Sequence, residues 1–291
     1  MEALLSLAFD NIASKDASKI RKGLRQIEGL LAQICLSNGK SKPSTPAHRR
    51  NASAINLGEQ KQSTPKKLSQ LGEDPAFREF FRLQEGFEWN VATRVVDCLE
   101  RLLGMTASKD GSNDLLIISS LSNLQGLLLL HPPSRVIFGR RTNMDLLLDL
   151  LDPYNCPAIQ SASLLVLVTA LLATPQNTRM FERRDGLLTV TSLFKDEGTV
   201  QHVRVKLLEF LYFYLMPEAP VQSASAPSTS KLAGAFERRS STISGDDGGG
   251  VAKTNILTQE QKQEMLAQFL NNVEGLVQDL QESAPFTSVA C

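Results

Sequence analysis

Residues 131–151 read HPPSRVIFGRRTNMDLLLDLL, and residues 174–194 read TPQNTRMFERRDGLLTVTSLF. Laid over each other at an offset of 43, Pro132 meets Pro175, Phe138 meets Phe181, and the pair Arg140-Arg141 meets Arg183-Arg184. Leu147, Leu150 and Leu151 meet Val190, Leu193 and Phe194. A repeat of this length belongs to stacked helix pairs of the armadillo and HEAT kind, in which each layer covers the apolar face of the next. In each copy an apolar helix ends near a proline and an aromatic residue follows on a short helix. Asn143 or Gly186 is then placed to break that helix, since both residue types tolerate a left-handed corner. A weaker third copy is expected where Phe81 stands five residues before Gly86 and Phe87. The predicted fold is all-α, an armadillo/HEAT-like helical repeat stack.

Working outward, the repeat body covers residues 74–218 and closes on VRVKLLEFLYFYLMPE, which Pro217 should stop because proline lacks the amide hydrogen. Residues 1–37 read as a helical pair docking on that body. In its second half Ile20, Leu24, Ile27, Leu31 and Ile34 step by 4, 3, 4 and 3 along one face. Residues 38–73 turn to Ser, Thr, Pro, Lys and Arg with few apolar residues and are expected to be a disordered insertion. Between Gly39 and Lys67 seven Lys or Arg stand against Glu59 alone, a net charge of +6. Residues 219–256, with their Gly245–Gly250 run GDDGGG, read as a second disordered, flexible linker. A separate C-terminal amphipathic helix follows at 257–283, opened by a capping box of Thr258 and Gln261, and 284–291 form a tail. Its Leu266, Phe269, Val273, Leu276 and Leu280 make a helix-pairing seam, directed either at its own body or at a partner helix.

Composition bounds the function. Of 291 residues, 42% are hydrophobic, enough for a sizeable core, while 31 basic and 31 acidic residues leave no overall charge to attract nucleic acid or a membrane surface. The apolar run Leu164–Leu172 is too short for a bilayer, which needs roughly 20 residues. Cys35, Cys98, Cys156 and Cys291 are far apart and without CxxC spacing, so reduced thiols are expected rather than disulfides or zinc. The opening MEALLSLAFD has no basic leader, and Cys291 lacks the following residues that prenylation requires.

Catalytic chemistry finds no footing in the chain. His48, His131 and His202 are isolated from one another and from cysteine at ligand spacing, and His48 and His131 read as solvated. There is no GxSxG elbow, no Cys followed by five residues and Arg, and no kinase signature. Gly39-Lys40-Ser41 imitates the end of a P-loop, but Ile34 stands where the first glycine belongs. No cofactor, metal or small-molecule substrate is therefore expected, and the chain reads as a non-enzyme.

Surfaces offer more. Arg140, Arg141, Arg183 and Arg184 have two readings, a basic edge binding an acidic partner segment or ordinary helix-capping charges paired with Asp145, Asp149, Glu182 or Asp185. Phe210, Tyr212, Phe213 and Tyr214 on the last body helix are either a docking anchor or its packing face. Thr64-Pro65-Lys66-Lys67 fits a proline-directed kinase consensus, Thr45-Pro46 a minimal one, and Ser53 and Ser241 follow arginines at basophilic-kinase spacing. A phosphate at Thr45, Ser53 or Thr64 would partly neutralise the basic tract.

Three longer strings carry a resemblance: LAFDNIASKDASKIRKGLRQIEGLLAQICLS, FFRLQEGFEWNVATRVVDCLERLL and EFLYFYLMPE. Over residues 1–37 and 74–218 the chain resembles the fungal septation initiation network family called cell division control protein fourteen, the kinase partner and not the phosphatase of that name. The C-terminal linker and helix lie outside that resemblance. It implies a non-catalytic, cytoplasmic subunit, associated with the spindle pole body, that binds a germinal-centre-type protein kinase and promotes septum formation and cytokinesis. Spindle-pole scaffold proteins are further expected partners. The alternative function is a localisation adaptor tethering cargo at the spindle pole body through the C-terminal helix.

Overall fold

The α2 stripe shows why these residues fold as they do. Ile20, Leu24, Ile27, Leu31 and Ile34 are all buried on α2 (Ala17–Cys35), and burying each such side chain is worth about 1.5–3 kcal/mol. Asp16 starts this helix by accepting a hydrogen bond from the Ser18 amide at 2.8 Å. Against it lies α1 (Glu2–Ile12), and the two cross where Gly23 has no side chain. A Cβ there would meet Ile12 Cγ2 at 2.6 Å and the Ala8 carbonyl at 2.8 Å. The computed structural model describes residues 1–37, 64–66, 71–105, 111–218 and 256–283. The described residues are helical apart from turns and one two-residue strand pair, so the chain is all-α.

It divides into two units, residues 1–137 and 138–291. In the first, α3 (Pro75–Glu85), α4 (Val91–Leu103) and α5 (Ser112–Leu130) follow, then a 3-10 helix, Pro132–Gly139. Helix α5 packs on α2 and α4, with Leu121, Leu124, Leu127 and Leu128 fully buried. By length and composition α5 is apolar enough to cross a membrane. Its packing on two helices explains that composition as a core helix.

Buried polar groups close the turn between α3 and α4. The Gln84 side chain donates to the Trp89 carbonyl at 3.1 Å and accepts from the Val91 amide at 2.8 Å, while Asn90 donates to the Gln84 carbonyl at 2.7 Å and to Ser134 Oγ at 3.1 Å. Ser134 also bonds His131 Nδ1 at 2.8 Å. His131 is thus buried, contrary to the solvated position expected from Pro132-Pro133, and packs edge-on against Phe81 at 4.4 Å. Burial pushes its imidazole down to about 4, so the ring is neutral, and Nε2 has no hydrogen-bond partner.

In the second unit α6 (Arg141–Asp149), α7 (Pro157–Leu171), α8 (Pro175–Arg183), α9 (Gly186–Lys195) and α10 (Gln201–Leu215) are followed by α11 (Gln259–Ala267) and α12 (Val273–Ser283). Phe138 and Phe181, the paired aromatics of the two copies, are both fully buried. The corners differ from expectation. Asn143 lies inside α6, and the break falls on Arg140 in extended conformation. In the second copy Asp185, not Gly186, takes the left-handed conformation, with φ of 57°. Gly186 is needed for space, since a Cβ would lie 2.2 Å from the Phe181 ring. The third copy fails at Phe87, which is 77% exposed where Met144 and Leu187 are buried.

Two other expectations change. Part of the 38–73 insertion is built into the first unit: Leu36–Ser37 pairs antiparallel with Thr64–Pro65, the Lys66 amide donates to the Cys35 carbonyl at 2.8 Å, and Leu71 is buried. Lys66 also forms an ion pair with Asp74, the cap of α3, and donates to the Ile34 carbonyl at 2.9 Å. One of the seven basic charges is therefore spoken for, and its hydrogen bond holds the Asp74 carboxyl below its ordinary value. The C-terminal segment is two helices rather than one. The capping box of Thr258 and Gln261 starts α11 as expected, but the chain turns at Gln268–Asn272 before α12.

Candidate partner-binding surfaces

The aromatic face of α10 is covered. Phe210 and Tyr214 are 1% exposed, with Phe181 at ring distances of 5.5 and 6.4 Å, while Tyr212 and Phe213 are half-buried. α11 and α12 both pack on α10 from within the same unit. Phe210 and Tyr214 are therefore core, and the anchor reading fails for them because the chain's own packing has already used their area.

Helix α11 adds a feature that periodicity did not reveal. Lys262 is 3% exposed, and its ammonium donates to the Tyr214 and Met216 carbonyls at 2.9 and 3.0 Å and pairs with Glu218 at 3.0 Å. Arg179 of α8 pairs with Glu218 at 2.6 Å and with Glu182 at 2.9 Å, and the Tyr214 hydroxyl donates to Glu182 at 2.8 Å. Two cations and two carboxylates thus balance. Burial pushes the Lys262 ammonium below its ordinary value despite Glu218, and it pushes the Glu182 carboxyl up despite Arg179. Tyr214 is raised by burial and then by the Glu182 charge. Desolvation outweighing attraction is what makes such a cluster specify a docking geometry rather than add much stability.

The expected seam is used only in part. Leu266 and Val273 are buried, Phe269 and Leu276 half-buried, and Leu280 lies outside the described side chains. Leu270 and Val277, which the seam omitted, are buried as well.

The arginine pairs follow the ordinary reading at two positions. Arg184 grips Asp145 through two bonds of 2.6 and 3.1 Å, and Arg183 donates to the Arg179 carbonyl at 3.0 Å. Arg141 approaches Asp145 at 3.5 Å, and Arg140 is exposed at the start of α6. Of the four, Arg184 alone is held by a bidentate carboxylate pair, while Arg140, Arg141 and Arg183 are exposed. Between α6 and α9 there is an acidic groove of about 750 Å³ lined by Asp145, Asp149, Asp152 and Asp196 over Leu148 and Leu188. Its signal is present in the sequence, because Asp145, Asp149 and Asp152 step by 4 and 3 within DLLLDLLD, a string whose leucines also fit an ordinary core helix.

Thr64 lies in the short strand pair, whereas Thr45, Ser53, Ser241 and His48 fall outside the described residues. Among the described residues no group of three or more His, Cys, Asp or Glu is arranged to hold a metal ion.

The described residues build helical surfaces with largely self-paired buried charges, and sequence comparison gives the chain a family. The family described as Cell division control protein 14, SIN component, matches residues 1–286, and the chain belongs to it. It is accordingly a component of the septation initiation network, acting in cell division. It is similar to Cell division control protein 14 of Schizosaccharomyces pombe (strain 972), at 26% identity over 293 residues covering 98% of this chain and 97% of the relative. No solved structure matches. The family match takes in α11 and α12, which the resemblance read from the three strings left out.

Proposed function

We propose that this chain is a non-catalytic scaffold or activating subunit of a germinal-centre-type protein kinase in the septation initiation network, promoting septum formation and cytokinesis. The observation that carries the reading is membership of the family across nearly the whole chain. The chemistry of the described residues agrees with a binding role. The His131–Ser134 pair is buried and bonded to Asn90, and the four buried charges near Lys262 are spent on one another. A helical repeat architecture remains the reading of residues 132–215: the order short helix, helix, long helix occurs at Pro132, Arg141 and Pro157 and again at Pro175, Gly186 and Gln201. A preformed helical surface spares a complex much of its ordering cost. Cytoplasmic residence with spindle pole body association belongs to the same proposal.

Co-purification from fungal extract with the full-length chain tests it. A protein kinase of the germinal-centre class should be recovered in stoichiometric amount, and recovery of the chain without any protein kinase at gentle salt would overturn the reading. The adaptor alternative is disfavoured by the packing of α11 and α12 on α10, which occupies the helix that was to reach a partner.

A further inference from the structure

The groove between α6 and α9 holds charge that the fold does not neutralise. Among the described residues, Asp145 alone of its four carboxylates has cationic partners, Arg141 at 3.5 Å and Arg184, which is committed through two bonds. Asp152 and Asp196 accept only main-chain hydrogen bonds, from Tyr154 at 2.8 Å and Gly198 at 3.1 Å. The nearby Arg204 donates to the Asp196 carbonyl and not to its carboxylate, and Lys195 donates to the Phe269 carbonyl. Asp149 stands in the last turn of α6 and Asp152 just beyond it, where the helix dipole is negative and the last turn of α6 carries no basic residue. The carbonyls of Asp149 and Asp152 are capped by neutral amides, Asn155 at 2.9 Å and Gln160 at 3.0 Å. Partial burial and then the charges of Asp145 and Asp152 push the Asp149 carboxyl up. Such an arrangement opposes folding locally, and an arriving cation would relieve it.

The groove is not a plain acidic patch. Leu148, Leu151 and Leu193 form its floor, and Leu188 stands 48% exposed in its wall. Asp145 and Asp149 lie four apart on α6 and Asp152 follows just past its end, a spacing that suits lysines or arginines on one face of an opposing helix. Apolar floor, acidic rim and helical register together fix the chemistry of the occupant. We propose that the α6–α9 groove docks a basic amphipathic helix of a partner protein, its Lys or Arg residues meeting Asp149, Asp152 and Asp196 and an apolar side chain packing on Leu188. The site is separate from the α10 surface, and the proposal stands whether or not the partner is a kinase.

Fluorescence anisotropy with a labelled leucine–lysine amphipathic peptide of about four helical turns tests it on the full-length chain. Binding should weaken as salt is raised and fall at least about tenfold in the Asp149→Asn, Asp152→Asn, Asp196→Asn variant, in which the acceptor oxygens that hold the two turns are kept. Leu188→Gln, at an exposed position, should weaken binding several-fold without touching the charges, and it serves if the triple variant is unstable. A peptide of the same composition with its helical pattern scrambled should bind more weakly. Equal affinity for wild type and both variants, or for both peptides, would overturn the proposal. Tighter peptide binding after Lys40→Ser, Lys42→Ser, Arg49→Ser and Arg50→Ser would also overturn it, because the chain's own basic segment would then be the occupant.

Discussion

Replacing Lys262 by Met probes the one buried cation that joins the C-terminal helices to α10. Methionine keeps the apolar stem of the side chain but removes the charge, its three polar partners and the ammonium's contact over the Tyr214 ring at 5.2 Å. Removing one member of a buried ion cluster costs about 3–5 kcal/mol, because the other charges stay desolvated. Here Glu218 retains Arg179 at 2.6 Å and the Leu257 amide at 3.2 Å, which places the cost at the lower end, about 3 kcal/mol. The apolar contacts of Leu266, Leu270, Val273 and Val277 survive the substitution. The loss should therefore fall on docking of α11 and α12 and not on global folding, and 3 kcal/mol corresponds to roughly a hundredfold shift in the docking equilibrium. Hydrogen exchange reads it directly. Amides of α11 should exchange about a hundredfold faster, whereas those of α2 in the other unit serve as an internal standard and should not change. Adding Glu218→Gln should recover part of the loss, since the surplus negative charge is then removed. An exchange rate in α11 within about threefold of wild type would refute the reasoning, and with it the idea that the buried cluster holds these helices.

Three further outcomes follow from close packing and burial. Gly186→Ala forces a methyl to within 2.2 Å of the Phe181 ring, which is itself enclosed by Phe210 and Tyr214, and should cost about 2–3 kcal/mol in urea unfolding. Gly23→Ala should separate α1 from α2 at similar cost, about 2–3 kcal/mol, visible as proteolysis near Ser14; an unchanged melting temperature would mean that the crossing is looser than 2.6 Å implies. His131 titrates at about 4 when folded and about 6.5 when unfolded, so the unfolded chain binds the extra proton below pH 6.5. Its contribution to stability is whole above that pH and is lost as pH falls toward 4, about 3 kcal/mol in all; a His131→Asn variant with the same pH dependence of its urea midpoint as wild type would contradict this.

Regular helices were legible because their signals are local. The 4-3-4-3 stripe of α2 lies buried as its spacing required, and Thr258 and Gln261 cap α11 with both reciprocal bonds formed. The aromatic positions of the offset copies also held, since Phe138 and Phe181 are both enclosed. The corners were less legible. A glycine after an aromatic residue suggests conformational freedom, yet Gly186 serves the bulk of Phe181 while Asp185 makes the turn. Both roles select glycine, and one sequence does not separate them. The break in the C-terminal segment was masked for a related reason. The seam of Leu266, Phe269, Val273 and Leu276 continues through Asn271-Asn272 in pattern, but Asn side chains compete with the helical backbone, and Leu270 gains burial when the chain turns there.

Lys262 marks the limit more sharply. Lysine is among the residues least often fully buried, so its place in a polar α11 reads as solvent-facing, and nothing within its own helix reveals otherwise. Its partners lie 44 to 48 residues earlier, on α10 and the turn that follows it, and they become partners only after α11 has docked. The acidic groove is the opposite case. The spacing of Asp145, Asp149 and Asp152 is legible in the chain, but such a row is neutral information until the neighbouring helix shows whether cations face it. Arg184 supplies one such cation and is consumed by Asp145, and it is this stoichiometry, rather than the presence of either charge, that leaves Asp149, Asp152 and Asp196 to make a groove suited to a basic ligand.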